Sequence, residues 1–516
     1  MNTRLAAAVG WIACIGVAGV AAWQHDGRVA LPGERVLWGV AVLGGHLAAG
    51  LGWTLVCAAV APVLRWVPRI EPALPAAVLI VWLTVLPGGS PPLPRADRVA
   101  HGPNILLVSL DTLRADHVGA GLTPAIDALA AQGAAFDRAY ATAPLTAPSH
   151  ASMLTGLDVW EHGLVSNGRR TDGSVVPELR AAGYRTGAFL SARVLDRTTG
   201  LDAGFEHFDD RWGDARLAWM PLRSDGEMVR RGDHTVDRFE RWLASVHTPW
   251  FAWVHLYDPH GPYDPPGAFR PSAAALAEVE EDPPPESEVT NLTTALRGLL
   301  TGRPGEQRLL YAGEVRWTDR QVERLLAAAG PDAVVVLVGD HGESLGEHDY
   351  WFNHGARLWE STLHVPLVLR WPGKVAPGSR SSALVSVQDV AATLRAVTDG
   401  SPAPLVAAVG GRGRDSVTSF TTGQEARPTL GYRSGVGEWR RGPAAARRYP
   451  DGKLLVHRGA PPEWFDLTRD PHEATPLPVP PEHASAAAEL SRWVAAEPEP
   501  LSEAQQAHLQ ALGYVE

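Results

Sequence analysis

The clearest pattern in this chain is a pair of solid apolar runs that each stop on a carboxylate. One is Asn104-Ile-Leu-Leu-Val-Ser-Leu-Asp111 and the other Asp332-Ala-Val-Val-Val-Leu-Val-Gly-Asp340. Runs this short, apolar and rich in β-branched residues read as strands buried on both faces of a parallel sheet. Such strands deliver the residue at their carboxyl end to a site. Further strand-like runs at 186–190, 251–257 and 365–369 join these two, at 104–111 and 334–339, in alternating with helix-like segments such as 123–132. The alternation predicts an α/β fold, with a mainly parallel central sheet covered by helices on both faces. Asp111, the segment from His255 to His260, and Asp340-His341 then fall at strand ends, within a core spanning 104–400.

Upstream the pattern changes. Residues 5–23 form an uncharged apolar run, 36–64 a second one interrupted mainly by His46 and several glycines, and 73–86 a shorter third. Because a span takes about 20 apolar residues, residues 1–90 are expected to be a membrane anchor of two or three transmembrane helices. The stretch 91–103 would be the linker into the core. Three spans place the core opposite the N-terminus and two place it on the same side, and the arginines flanking these runs barely discriminate between them. The expected location is the membrane, with the catalytic domain on the extracytoplasmic side. Downstream, 401–427 is rich in Gly, Pro, Ser and Thr and reads as a linker, followed by a C-terminal subdomain over 428–516. Short strands of a small antiparallel sheet are expected at 430–433, 453–457 and 464–467, with helices at 481–496 and 503–512. The acidic, proline-rich stretch 278–285 reads as a surface insertion.

At 516 residues the chain is long enough for one large α/β domain plus smaller pieces. Its net charge of -11 argues against a nucleic-acid partner, which would require concentrated cationic surface. Both cysteines, Cys14 and Cys57, lie in the N-terminal apolar runs, so the core has neither a thiol nucleophile nor a disulfide.

The residues that remain suit attack on an anionic ester. Thr146 sits in Pro144-Leu-Thr-Ala-Pro148, before a segment that reads as a helix starting at Ser149, and a helix start offers free amides to an anion. A Thr in that position is ordinarily only a turn or cap residue. A hydroxyl becomes a competent nucleophile when a base or metal lowers its pKa. Asp340-His341, following a buried strand, and Asp111 on another strand are candidate metal ligands, because a buried carboxylate without a cation is costly. His260, flanked by prolines, and His354 in Phe352-Asn-His-Gly355 could contact the anion or protonate a leaving group. His162 and His348 read as structural.

Taken together, the chain resembles the sulfatase branch of the alkaline phosphatase superfamily over roughly 104–478. The resemblance rests on ordered motifs: Asn104 to His117, Thr146-Ala-Pro-Ser-His-Ala-Ser-Met-Leu-Thr-Gly156, Asp258-Pro-His-Gly-Pro-Tyr263, Gly339-Asp-His-Gly-Glu343 and the residues following it, and Glu463 to Pro471. It implies that Asp111, Asp340, His341 and Thr146 bind a divalent metal, with Thr146 as the attacking group. It also implies substrate-anion or leaving-group contacts from His150, His260 and His354.

The departures are equally informative. Typical sulfatases carry Cys or Ser, oxidised to formylglycine, where Thr146 stands, and Arg where His150 stands. Their paired acids are here Asp111-Thr112, and His341 replaces a common Asn. Among Mn, Zn and Ca, the imidazole shifts the expected ion away from calcium toward manganese or zinc. A threonine nucleophile resembles the phosphotransfer members, such as lipoteichoic acid synthases and phosphoethanolamine transferases. The Asp-Thr-Leu-Arg-Ala-Asp-His motif is closer to sulfatase-like hydrolases. The expectation is a membrane-anchored hydrolase or transferase acting on phosphate or sulfate esters, phosphate ahead of sulfate. The alternatives are a phosphoglycerol- or phosphoethanolamine-type transferase of envelope lipids and a catalytically silent membrane scaffold. Sequence sets no oligomeric state.

Overall fold

The computed structural model describes residues 101–211, 229–246, 249–279, 304–423, 442–496, 502 and 505. The expected membrane spans, most of the linker 91–103, most of the acidic insertion, the strand at 430–433 and most of the helix at 503–512 lie outside the described residues. Among the described residues no helix is long and apolar enough to cross a membrane.

The strands in chain order are β1 (Ile105–Leu110), β2 (Ala134–Tyr140), β3 (Arg185–Phe189), β4 (His207–Asp209), β5 (Trp250–Leu256), β6 (Val334–Gly339), β7 (Ser344–Leu345), β8 (Trp351–Asn353), β9 (His364–Arg370), β10 (Ser379–Ser386), β11 (Val417–Thr421), β12 (Ala444–Arg448), β13 (Gly452–His457) and β14 (Glu463–Asp466). Eight of them form one sheet in the order β10-β2-β9-β6-β1-β5-β3-β4. The sheet is parallel except around β9, which runs antiparallel to both β2 and β6.

The solid apolar runs are explained by packing on both faces. Along β1, Ile105 and Leu107 enter one core while Leu106, Val108 and Leu110 enter the other. In β6, Val334, Val336 and Val338 oppose Val335 and Leu337 in the same way. Each such side chain withdrawn from water contributes about 1.5–3 kcal/mol, and a one-residue slip would misplace the whole set. One face is covered by α1 (Pro124–Gln132), with Ile126 and Leu129 buried. The other carries α2 (Thr146–Thr155), with Ala147, Ala151, Met153 and Leu154 in its core. On the α1 side lie α3 (Gly232–Leu243) and α4 (Pro304–Ala329), and on the α2 side α5 (Asp389–Asp399). Asp319 of α4 accepts from the amides of Ala125 and Ile126 at 2.9 Å and so caps the start of α1.

Strands β11 to β14 form a separate four-stranded antiparallel sheet in sequential order. Helix α6 (Ala484–Ala495) packs Leu490 and Val494 against it. The sheet begins inside the stretch expected to be a linker. β11 and a helix at Pro404–Val409 both lie within 401–427, because Val417 and Phe420 find apolar cover that a composition count does not register.

Candidate active site

The central three strands set the site. Leu110 of β1 pairs in register with Leu256 of β5 on one side and Gly339 of β6 on the other, so Asp111 and Asp340 emerge side by side. Asp111 N–H donates to Leu256 O at 2.9 Å, and Asp340 N–H to Leu110 O at 3.1 Å. The two glycines around Asp340 permit close approach. A Cβ on Gly339 would lie 2.7 Å from Leu113 O, and one on Gly342 would lie 2.1 Å from Ser361 O. Thr112 takes φ +53°, a rare conformation for a β-branched residue. It is held there by Tyr311, whose hydroxyl donates to Thr112 O at 2.8 Å and accepts from Arg114 N–H at 3.2 Å.

Helix α2 starts at Thr146, three residues before the expected Ser149. Pro148 is tolerated in the first turn because its missing N–H would have had no helical partner. Thr146 is therefore the first residue of the helix, and Ala147 N–H donates to Asn167 Oδ1 at 3.1 Å. Ser149 Oγ donates to Asp340 O at 2.5 Å and ties the helix start to the end of β6. Thr146 Oγ1 lies 3.4 Å from His341 Nε2.

Asp111, Thr146, Asp340 and His341 are all buried. The ligand atoms of Asp111, Asp340 and His341 lie within 4.8 Å of one another. His341 is oriented by Nδ1 donating to Gly342 O at 3.0 Å, which leaves Nε2 facing Asp111 Oδ1 and Asp340 Oδ2, each at 3.6 Å. Asp340 Oδ1 accepts from the amides of Thr112 and His341. Both oxygens of Asp111 and Oδ2 of Asp340 have no hydrogen-bond partner among the described residues. Such groups are costly to bury unless a cation meets them. His341 Nε2 stands 3.6 Å from each carboxylate, so one imidazole and two carboxylates converge on one point. The donor set thus fits a divalent metal ion.

Electrostatics divides the two carboxyls. Burial alone would push Asp111 up, but the surrounding His255, His260 and His341 hold it below the usual Asp range. Burial and the neighbouring Asp111 hold Asp340 well above its usual value. Burial, followed by His354, keeps His341 neutral to well below the ordinary His value.

The other expected histidines gather around this centre with different partners. His354 Nδ1 lies 3.3 Å from the buried Glu343 Oε1, and its ring lies 4.5 Å from that of His341. Burial opposes the charged form of His354, yet Glu343 raises its pKa overall. His260 stacks on Tyr257 at 4.3 Å and contacts its hydroxyl through Nδ1 at 2.5 Å, with the His354 ring 4.8 Å away. Burial lowers the His260 pKa.

His150 is engaged on both nitrogens. Trp253 Nε1–H donates to Ser109 Oγ at 2.9 Å, so the Ser109 hydroxyl donates to His150 Nε2 at 2.8 Å, and His150 Nδ1–H donates to Thr146 O at 2.8 Å. Burial, then the nearby His255, lowers its pKa to about 3. His150 is thereby a neutral bridge from β1 and β5 to the start of α2. His162 bonds back to α2, with Nε2 3.0 Å from Ser152 Oγ, and His348 stacks on Trp359 at 4.1 Å.

Sequence reasoning gave no role to Glu343, Ser109 or His255. The available signal was a polar residue inside an otherwise apolar strand, as with Ser109 in β1 and His255 in β5.

Comparison with known proteins agrees with this architecture. A family model described as Sulfatase matches residues 103–401. An arylsulfatase of Clostridium perfringens is 22% identical over 362 residues, covering 57% of this chain and 74% of the relative. A choline-sulfatase of Rhizobium meliloti is 24% identical over 447 residues, covering 73% and 82%. Among solved structures, the phosphonate monoester hydrolase of Agrobacterium radiobacter superposes with a TM-score of 0.57 at 21% identity, covering 80% of this chain and 98% of that one.

Proposed function

The chain belongs to the sulfatase family, and from that premise we propose that it is a metal-dependent hydrolase of anionic esters with Thr146 as nucleophile. The observation that carries this reading is the placement of Thr146 Oγ1, at the first residue of α2 and 3.4 Å from His341 Nε2, beside the partnerless oxygens of Asp111 and Asp340.

Asp111, Asp340, His341 and Thr146 would hold the ion. A divalent ion bound there supplies positive charge that lowers the pKa of a nearby hydroxyl and offsets negative charge developing on the ester oxygens. The imidazole favours manganese or zinc over calcium. Thr146 loses its proton to solvent, and its Oγ1 bonds to phosphorus or sulfur as the bond to the leaving alcohol breaks. His354, whose pKa Glu343 raises, gives the leaving oxygen a proton, and His260 beside it contacts the ester anion. Water then cleaves the threonyl ester, releasing the anion and restoring the Thr146 hydroxyl. In this scheme His150 acts as a positioning residue for the start of α2 rather than as a substrate contact.

Phosphate and phosphonate esters rank ahead of sulfate esters, because a threonine cannot form the aldehyde nucleophile of typical sulfatases. The apolar N-terminal runs favour a second reading, transfer of the group to an acceptor alcohol by an enzyme anchored in a membrane. The test is Thr146→Ala assayed against aryl phosphate, phosphonate and sulfate esters with added manganese or zinc, with and without a polyol acceptor. Turnover should fall by roughly a thousandfold or more. Unchanged turnover would refute the nucleophile, and product formed only with acceptor would establish transfer. A protein that binds no divalent ion would instead be a silent scaffold.

A further inference from the structure

One turn of α4 holds the segment that carries His260. That segment leaves β5 after Leu256 and runs through Asp258 and Asp264 to Phe269. At its near end the Asp258 carboxylate accepts from Trp317 Nε1–H at 2.9 Å and from the Gly232 amide at 2.9 and 3.1 Å. At its far end the Asp264 amide donates to Glu314 Oε1 at 2.6 Å, and Arg316 donates to Phe269 O at 3.2 Å. The approach requires glycine on both α3 and α4. A Cβ on Gly232 would lie 2.3 Å from Asp258 Oδ2, and one on Gly313 would lie 2.6 Å from Phe269 O. Glu314 is buried, and burial followed by the neighbouring Asp258 pushes its carboxyl up to about 8, with Asp264 adding to the rise and Arg231 opposing it. At neutral pH it is therefore an uncharged acid whose carbonyl oxygen takes the Asp264 amide. Between the two anchors, His260 Nδ1 contacts the Tyr257 hydroxyl at 2.5 Å and Gly261 O at 2.6 Å, both within its own loop. The placement of the imidazole follows from the placement of that loop.

We propose that Glu314 and Trp317 are positioning residues for His260, fixing the two ends of its loop so that the imidazole meets the ester anion. Both act through the loop backbone and the Asp258 carboxylate, not by touching the ester. A displacement of about 1 Å in such a contact is enough to cost up to a hundredfold in rate.

This role rests on the ester contact of His260 proposed above, and two measurements separate them. In the full-length chain, purified in detergent with manganese or zinc, Glu314→Ala should lower kcat/KM for an aryl phosphonate by about tenfold or more. Glu314→Gln keeps the acceptor for the Asp264 amide and should restore most of that loss. Trp317→Phe, which deletes the indole N–H donor to Asp258, should lose activity in the same direction. In a His260→Ala background neither substitution should cost anything further, because the contact they position is gone. Hydrogen–deuterium exchange should quicken in the peptide spanning 257–269 of Glu314→Ala, with the rest of the core unchanged. Unchanged exchange there, or equal losses in both backgrounds, overturns the positioning role and leaves the His260 contact standing. Full activity in His260→Ala overturns the contact and the positioning role with it. Should Glu314→Ala fail to fold, the same cycle and exchange measurement on Trp317→Phe decide.

Discussion

Two buried charged clusters in this molecule solve the same electrostatic problem in opposite ways. The first joins the C-terminal sheet to the segment following His354. Lys453 of β13 is wholly buried, donates to Leu358 O at 2.8 Å, pairs with Glu473 and lies 3.5 Å from Glu360. Arg448 of β12 also lies 3.5 Å from Glu360, which accepts from the Tyr140 hydroxyl at 2.8 Å. Glu473 accepts from Glu360 N–H, and Thr421 donates to Gly355 O at 2.5 Å. Two cations thus meet two carboxylates, so that Glu473 Oε1, which has no hydrogen bond among the described residues, still faces the Lys453 ammonium. The second cluster, at the ends of β1, β5 and β6, sets Asp111 and Asp340 against imidazoles and leaves three carboxylate oxygens without hydrogen-bond partners among the described residues. A cluster that closes on itself serves the fold. One left open at this cost implies a charge supplied from outside the chain.

The largest effect is expected at the open cluster. Chelation should abolish ester hydrolysis, and manganese or zinc should restore it, while the far-ultraviolet circular dichroism stays unchanged. Full activity in stripped protein would show that the cluster needs no ion. At the closed cluster, Lys453→Met leaves Glu473 and Glu360 facing each other in a buried site. It should cost about 3–5 kcal/mol of unfolding free energy, measured by denaturant titration. A cost below about 1 kcal/mol would mean the network is loosely solvated.

The smallest effect is pH dependence. The Asp340 carboxyl, held well above its usual value by burial and by Asp111, carries a proton below that raised value, and an ion must displace it. Ion affinity should therefore weaken as pH falls, by about tenfold per pH unit while that single proton is being displaced. Calorimetric titration at several pH values reads the slope directly, and an affinity independent of pH would remove Asp340 from the ligand set.

The same contrast explains what could be read from the sequence. β1, β5 and β6 were legible because burial on both faces writes a solid apolar run, and Asp111 and Asp340 because each ends such a run. β2 was not, since Asp137 and Arg138 interrupt it at partly exposed positions of a strand near the sheet edge. β12, Ala-Ala-Ala-Arg-Arg, carries almost no hydrophobic signal, and β11 offers only Val417 and Phe420 within a Gly-, Pro-, Ser- and Thr-rich stretch. Thr146, His260 and His354 were recognisable from local motifs. Glu343 stood within a recognised motif without a role, because only the fold sets it against His354. The bridge through Ser109 and His150 depends on a tryptophan 144 residues from Ser109 and could not be read from spacing.

If the open cluster serves the Thr146 hydroxyl, the group cleaved from the ester passes through that side chain. Rapid quenching during turnover of an aryl phosphate or phosphonate, followed by peptide mass spectrometry, detects that passage. A phosphoryl or phosphonyl adduct is expected on the peptide containing Thr146, localised to that side chain and absent from Thr146→Ala. An adduct on another residue, or turnover that persists in Thr146→Ala, would contradict it.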